Sequence, residues 1–238
     1  MRAISSMATR EVLAAIADAA VTAGLPALEI ESVGGVDAEQ RVAAGEAFDL
    51  VFLASGALAR LADGGHVDPV TVTPLVLSQV AVAVPSGDAG DVTGTAAVPP
   101  QGVAFPDAAG VRDALRAAHR IGYSTGPSGT ALVRLIDEWG LTAEVGERLV
   151  QARPGIPVAA SLAGGDVDLG FQQLSELVGA PGVRILGVLP ADCAIETVFS
   201  GAVAATAADP RSAADLLAAA VTAAAGGLAA DHHFGVPA

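Results

Sequence analysis

Three stretches of the sequence put small hydroxyl and glycine residues where an apolar run gives way to a helix-forming one. They are Ser5-Ser6-Met7-Ala8-Thr9, Ser55-Gly56 and Ser124-Thr125-Gly126-Pro127-Ser128-Gly129-Thr130; Gly34-Gly35 before Asp37 is a fourth. The first N–H groups of a helix lack an intrahelical acceptor and carry partial positive charge, so each junction is a candidate seat for an anion. Ser, Thr and Gly are also ordinary helix caps. Their recurrence, with Gly126-Pro127-Ser128-Gly129 the most specific instance, is what points to a ligand.

Other side chains could add to such a seat. Arg10 falls in the first turn of its helix, where the dipole disfavours a cation, so a bound carboxylate is an expected partner and a solvated surface position the alternative. Arg153, in Arg153-Pro154-Gly155-Ile156-Pro157, sits in a rigid turn and could clamp an anion with two N–H groups or pair with a surface acid. Gln172-Gln173 ends an apolar run, and one of the two amides is expected to face a cleft rather than cap the next helix. Tyr123, the only tyrosine, ends another such run; its phenol could donate to a ligand, take part in proton transfer, or be structural. The histidines, His66, His119, His232 and His233, show no ligand spacing with carboxylates, so no metal and no cofactor are expected. Cys193 has no nearby histidine and reads as a buried small residue.

These loops need elements to hold them. Short apolar runs alternate with amphipathic stretches, the pattern of an α/β protein. Strands are expected at Arg2–Ser5, Ala27–Val33, Phe48–Ala54, Thr73–Val84, Arg120–Tyr123, Val167–Gln172, Val183–Leu189 and Thr197–Thr206. Helices are expected at Thr9–Ala23, Asp37–Ala44, Leu58–Asp63, Asp107–His119, Gly129–Trp139, from Val158, and at Ser212–Ala225. Residues 85–104, rich in Gly, Pro, Ser and Thr, read as a loop. A long strand near residue 80 and a return strand near 198 imply two lobes, residues 1–80 with 198–238 and residues 81–197. Ligands of open α/β sheets sit beyond the carboxyl ends of the strands, which is where the serine- and glycine-rich loops fall.

Composition narrows the chemistry. The 238 residues carry 12 basic and 26 acidic side chains, a formal charge of −14, and every basic one is arginine. Without lysine, a Schiff base or a Walker-type phosphate loop is impossible. An acidic chain with 3% aromatic residues is poorly suited to nucleic acid, which needs clustered positive charge and stacking surfaces. No secretory leader is evident before the first strand and no uninterrupted apolar stretch of about 18 residues suggests a membrane span, so a cytoplasmic protein is expected.

Phe48-Asp49-Leu50-Val51-Phe52-Leu53-Ala54-Ser55, Thr73-Pro74-Leu75, Gly122-Tyr123-Ser124-Thr125-Gly126-Pro127-Ser128-Gly129 and Leu169-Gly170-Phe171-Gln172-Gln173 resemble the molybdate-binding-protein-like group of type 2 periplasmic binding folds. The resemblance runs from residue 2 to about 225. Within it, Ser5-Ser6-Met7-Ala8-Thr9-Arg10, Glu31-Ser32-Val33-Gly34-Gly35-Val36-Asp37 and Phe171-Gln172-Gln173-Leu174-Ser175-Glu176-Leu177 are similar to a signal-less branch, that of the bacterial aconitate isomerases.

The resemblance implies a two-lobed type 2 periplasmic-binding-protein fold with two crossover strands, closing on a small anionic ligand. Molybdate binders hold their anion with hydroxyl and N–H groups after the first and third strands, which correspond to Ser5, Ser6 and Ser55 here. They often use a tyrosine where this chain has Gln173; with Arg10 near the first loop, that difference favours a larger organic acid. The implied chemistry is a proton shift across an allylic di- or tricarboxylate, with Ser5, Ser6, Thr9, Arg10, Gly35, Ser55, Ser128, Gly129, Arg153, Gln172 and Gln173 as ligand-binding residues. Tyr123, Glu176 and Asp37 are the candidate bases. The alternative is a non-catalytic binder of molybdate-like oxyanions or organic acids. Neither reading involves nucleic acid or a membrane.

Overall fold

The computed structural model describes residues 1–87, 102–153 and 155–237, so most of the expected 85–104 loop lies outside the described residues. In chain order, β1 (Arg2–Ser6), α1 (Arg10–Thr22), β2 (Glu29–Val33), α2 (Gly35–Ala43), β3 (Leu50–Ala54), α3 (Ser55–Asp63) and β4 (Thr73–Pro85) come first. Then follow α4 (Ala108–Ala117), β5 (Ile121–Tyr123), α5 (Pro127–Glu138), α6 (Thr142–Val145), β6 (Leu149–Gln151), α7 (Val158–Ala163) and β7 (Leu169–Gln173). The chain ends with α8 (Leu174–Leu177), β8 (Val183–Val188), β9 (Glu196–Val203) and α9 (Pro210–Ala223). Two compact units result, Met1–Ser78 with Thr197–Ala238, and Gln79–Glu196; β4 and β9 carry the chain from one to the other.

In the first unit the strands run β2-β1-β3-β9, with β1, β2 and β3 parallel and β9 antiparallel to β3. A parallel sheet is covered on both faces, and β3 accordingly reads as an unbroken apolar run, buried along its length. Alternate side chains divide between two cores. Ala3, Leu50, Phe52 and Ala54 face α1 and α9 through Val12, Leu13, Ile16, Leu216 and Leu217, whereas Ile4, Val51 and Leu53 face α2 and α3 through Ala38, Val42, Leu58 and Leu61. The helical stretch Pro210–Asp231 has the length and mean hydropathy, 1.6, of a membrane span. Its apolar face packs on this core instead, through Ala213, Leu216, Leu217, Ala220 and Ala224, and the backbone departs from helical geometry at Gly227.

In the second unit the order is β4-β7-β5-β6, with β8 on the other side of β4. β5 is parallel to both neighbours, while β4 is antiparallel to β7 and β8. One face packs on α4 and α5 through Val111, Leu115, Leu132 and Ile136, the other on α7 and α8 through Val158, Leu162, Leu174 and Leu177. On that second face Gly122 and Gly170 stand in register on adjacent strands. A methyl group at Gly170 would lie 2.8 Å from Leu162 and 2.9 Å from Val158, and one at Gly122 would lie 2.9 Å from Val158. The glycines let α7 approach the sheet.

Several boundaries differ from the sequence expectation, for local reasons. α5 starts at Pro127 rather than Gly129, since proline fits the first helical position, where its missing N–H costs nothing. α2 starts at Gly35 rather than Asp37. β9 stops at Val203, and Thr206 turns back to donate to the Phe48 carbonyl and accept from its N–H. β6 and α6 are short and weakly patterned, and the sequence does not reveal them as elements.

Two helices that begin away from the parallel strands' carboxyl ends, α4 and α9, are capped by aspartate: Asp107 accepts from Gly110 N–H at α4, and Asp209 accepts from Ser212 N–H at α9. Because α9 covers the first unit's core, Asp209→Ala is expected to lower stability by about 1 kcal/mol, read as a lower urea midpoint at unchanged m-value.

Candidate functional site

The parallel strands of each unit deliver their following loops to one edge. In the first unit β1, β2 and β3 end at Ser6, Val33 and Ala54. α2 and α3 start right there, N-capped by Gly34 and Ala54 with no capping side chain. Their first N–H groups are therefore left to solvent or a ligand, in contrast to the aspartate-capped helices. The hydroxyls around them are paired. Buried Ser5 shares a 2.8 Å hydrogen bond with Ser32 on β2, and Ser55 shares one of 2.7 Å with buried Ser200 on β9 while donating to the Val198 carbonyl at 3.0 Å. Ser6 accepts from Ala8 N–H, and buried Thr9 donates to the Ser6 carbonyl at 3.0 Å. A methyl group on Gly35 would come within 3.7 Å of the Ser6 hydroxyl, which puts the β1 and β2 loops side by side. Ser5, Ser6, Thr9, Gly35 and Ser55 thus share one sheet edge. Ser32 and Ser200 belong with them and escape sequence reasoning, since only strand pairing reveals them.

In the second unit β5 and β7 are in register as Tyr123 with Phe171, and β5 and β6 as Tyr123 with Gln151. Their carboxyl ends therefore collect the Ser124–Gly129 turn, Arg153, Gln172, Gln173 and Glu176 on one edge. α5 is N-capped by Gly126 without a capping side chain and has no acid in its first turn. Ser128, buried, shares a 3.0 Å hydrogen bond with Ser124. A Cβ on Gly129 would lie 1.9 Å from the Ser124 carbonyl oxygen and 3.1 Å from the Tyr123 ring, so this turn exists only with glycine. The Tyr123 ring is half-buried against the core that α4 and α5 cover.

The two amides differ in what they do. Gln172 is buried on the α7 side of β7, where its Oε1 accepts from Ala159 N–H at 3.4 Å, the second residue of α7. The same amide also favours the ionised form of the Glu176 carboxyl. Gln173, equally buried, is the N-cap residue of α8. Glu176 keeps part of its surface accessible, yet protein atoms crowd its carboxyl closely enough that burial pushes it up to about 7, against the smaller opposing effect of the Gln172 hydrogen bond. A carboxyl near 7 exchanges protons at neutral pH.

The remaining candidates are exposed. Arg10 is exposed and paired with its neighbour Glu11 at 2.8 Å. Arg153 and Asp37 are exposed, the latter in the first turn of α2. Among the described residues no group of three His, Cys, Asp or Glu side chains is placed to hold a metal.

Two expectations follow. Gly129→Ala should destabilise the protein, observed as a lower urea midpoint, because the new methyl cannot coexist with the Ser124 carbonyl. For Glu176, the folded carboxyl holds its proton up to about pH 7, whereas the unfolded one releases it near 4.5. Its contribution is therefore fully present below about 4.5 and lost as pH rises through about 7, roughly 3 kcal/mol at most. Glu176→Gln should flatten that decline in urea midpoints measured between about pH 5 and pH 8.

Residues 1–235 match the family of bacterial extracellular solute-binding proteins. Over 177 residues the chain is 31% identical to an aconitate isomerase from a Pseudomonas species, an alignment covering 74% of this chain and 63% of that protein's length. Among solved structures, the Azotobacter vinelandii periplasmic molybdate-binding protein superposes over 100% of both chains with a TM-score of 0.71 at 20% identity. The sulfate-binding protein SubI from Mycobacterium tuberculosis H37Rv does so over 98% of this chain and 85% of its own, with a TM-score of 0.72 at 18% identity. The fold is the molybdate-binding-protein-like type 2 periplasmic-binding fold, α/β with two crossover strands, that the sequence resemblance implied. With nearly its whole length matched, the chain belongs to the bacterial extracellular solute-binding protein family.

Proposed function

We propose that the chain is an isomerase of the aconitate-isomerase type, which binds an allylic di- or tricarboxylate and moves a proton from one end of the allylic unit to the other. The observation that carries this reading is Glu176, a crowded carboxyl pushed up to about 7 on the same sheet edge as the α5 junction. The 31% identity to an aconitate isomerase supports it, as does a family whose solved neighbours include molybdate- and sulfate-binding proteins, since all of these ligands are small anions.

The chemistry asks little of the protein beyond these groups. A substrate carboxylate accepts the open N–H groups at the start of α5, with the Ser128 hydroxyl beside them. The Glu176 carboxylate takes a proton from the carbon next to a carboxylate, and the electron pair left behind spreads through the allylic system onto carboxylate oxygens. N–H donors aimed at those oxygens stabilise the developing charge. The double bond moves one carbon along, and the proton held by Glu176 returns at the far end. One proton and one electron pair have moved, and the overall oxidation state is unchanged.

Incubating the protein with cis- or trans-aconitate in heavy water should give deuterium at the allylic carbons together with interconversion. The rate should rise through about pH 7 and then level, because the base works as the carboxylate. Glu176→Gln should lower exchange by about 10²–10⁴-fold with ligand binding retained. Absence of exchange with every di- and tricarboxylate tried would defeat the isomerase reading. Thermal stabilisation by molybdate or tungstate without exchange would instead establish a non-catalytic oxyanion binder, the reading favoured by the family's solute-binding members.

A further inference from the structure

β4 is the strand that leaves the first unit, and it enters the second at the step from Ser78 to Gln79. A strand bends most readily where little holds its backbone, so the ties on either side of that step decide where β4 gives way.

On the second unit's side the ties are several. Gln79 Nε2 donates to a carboxylate oxygen of Glu196 on β9 at 3.0 Å. Val80 N–H donates to the Ile195 carbonyl at 3.0 Å, and the Val80 carbonyl accepts from Leu189 N–H at 3.0 Å. On the first unit's side a tie comes from the segment beyond α9. Leu77 and Gly235 form an isolated antiparallel bridge, each N–H donating to the other's carbonyl at 2.8 Å. Beside the bridge Phe234 is buried in the core that also holds Leu75 and Val76 of β4. Of the β4 residues, Ser78 alone lies between the two sets of ties.

The segment reaches β4 along a strained backbone. Gly227 has a φ of 129°, and His233, with a φ of 64°, is the one non-glycine residue in the left-handed region among the described residues. A side chain there crowds its own backbone. Past the bridge Val236 is exposed. Two hydrogen bonds and one buried phenyl ring are set against that strain, the balance expected of a segment that opens separately from the rest of the fold.

We propose that His233–Val236 is a strap on β4. Closed, it holds the strand as far as Leu77 and confines bending to Ser78; open, it extends the pliable stretch back into the first unit. β4 then has two stiffnesses, whatever ligand the chain binds.

Residue-resolved amide hydrogen exchange on the full chain tests this. The amides of Leu77 and Gly235, and that of Phe234, which donates to the Ala229 carbonyl at 2.8 Å, should share one opening constant that low urea hardly changes. They should exchange at least about 100-fold faster than Val80 and the β3 amides. Exchange of Leu77 only along with β3, through unfolding of the whole protein, overturns the proposal. So does a Leu77 amide that stays protected while Gly235 opens. A lock supplies the second arm. A Cβ on Gly235 would lie 3.5 Å from that of Leu77, within reach of a disulfide, and Cys193 is buried. In the Leu77→Cys/Gly235→Cys double variant, oxidation should slow exchange of the Phe234 amide by about tenfold or more against the same protein reduced with dithiothreitol. Equal rates in the two forms overturn the strap.

Discussion

The helices α2, α3 and α5 each begin where a parallel strand ends, and none has a side chain to accept its first N–H groups. This is a costly arrangement to leave unresolved, because an unpartnered backbone donor away from water loses free energy comparable to a hydrogen bond. The chain resolves it elsewhere with aspartates, at Asp107 and Asp209. At the carboxyl edges it places glycine or alanine at the cap instead. Those edges therefore hold concentrated hydrogen-bond donors, and the serine pairs, the glycine turn and the buried amides are arranged around them.

The arginines explain why donors of this kind matter. Among the described residues, Arg2, Arg10, Arg41, Arg60, Arg116 and Arg134 are ion-paired with nearby acids, and Arg148 donates to the carbonyls of Arg116, Ala118 and Glu144. Arg112 lies over Trp139. In a lysine-free chain with 26 acids, most of the scarce positive charge is occupied in holding the surface together. Attraction for an anion then falls to N–H groups acting at contact, and the overall negative charge does not oppose them strongly because salt screens it beyond about 10 Å.

Much of this architecture is legible in the amino-acid order. Strand–turn–helix junctions announce themselves through Ser, Thr and Gly after apolar runs, and Ser5, Ser55, Ser128 and Gly129 stand out that way. Consecutive glutamines at a strand end are also a usable signal, although the amide at position 172 faces α7 rather than solvent. Ser32 and Ser200 cannot be found so, because their partners lie 27 and 145 residues away and only strand register unites them. The partner of Arg10 is not legible for a related reason: Glu11 is plain to see, but which acid a flexible arginine takes depends on side-chain geometry rather than on spacing. The acidity of Glu176 is hidden too, since a single carboxylate in Leu-Ser-Glu-Leu looks like any solvated helix residue until the packing around it is known.

Gly122 and Gly170 bear on the edge of the second unit from a distance. They carry no chemistry, and their immediate effect is to let Val158 and Leu162 settle against the sheet. That settling also sets how close the second N–H of α7 comes to the Gln172 amide, which it reaches at 3.4 Å. The clearance between a helix and two bare backbone positions thus helps to hold one amide of the strand's end in place. Residues chosen for having no side chain can in this way shape a loop edge that they never touch.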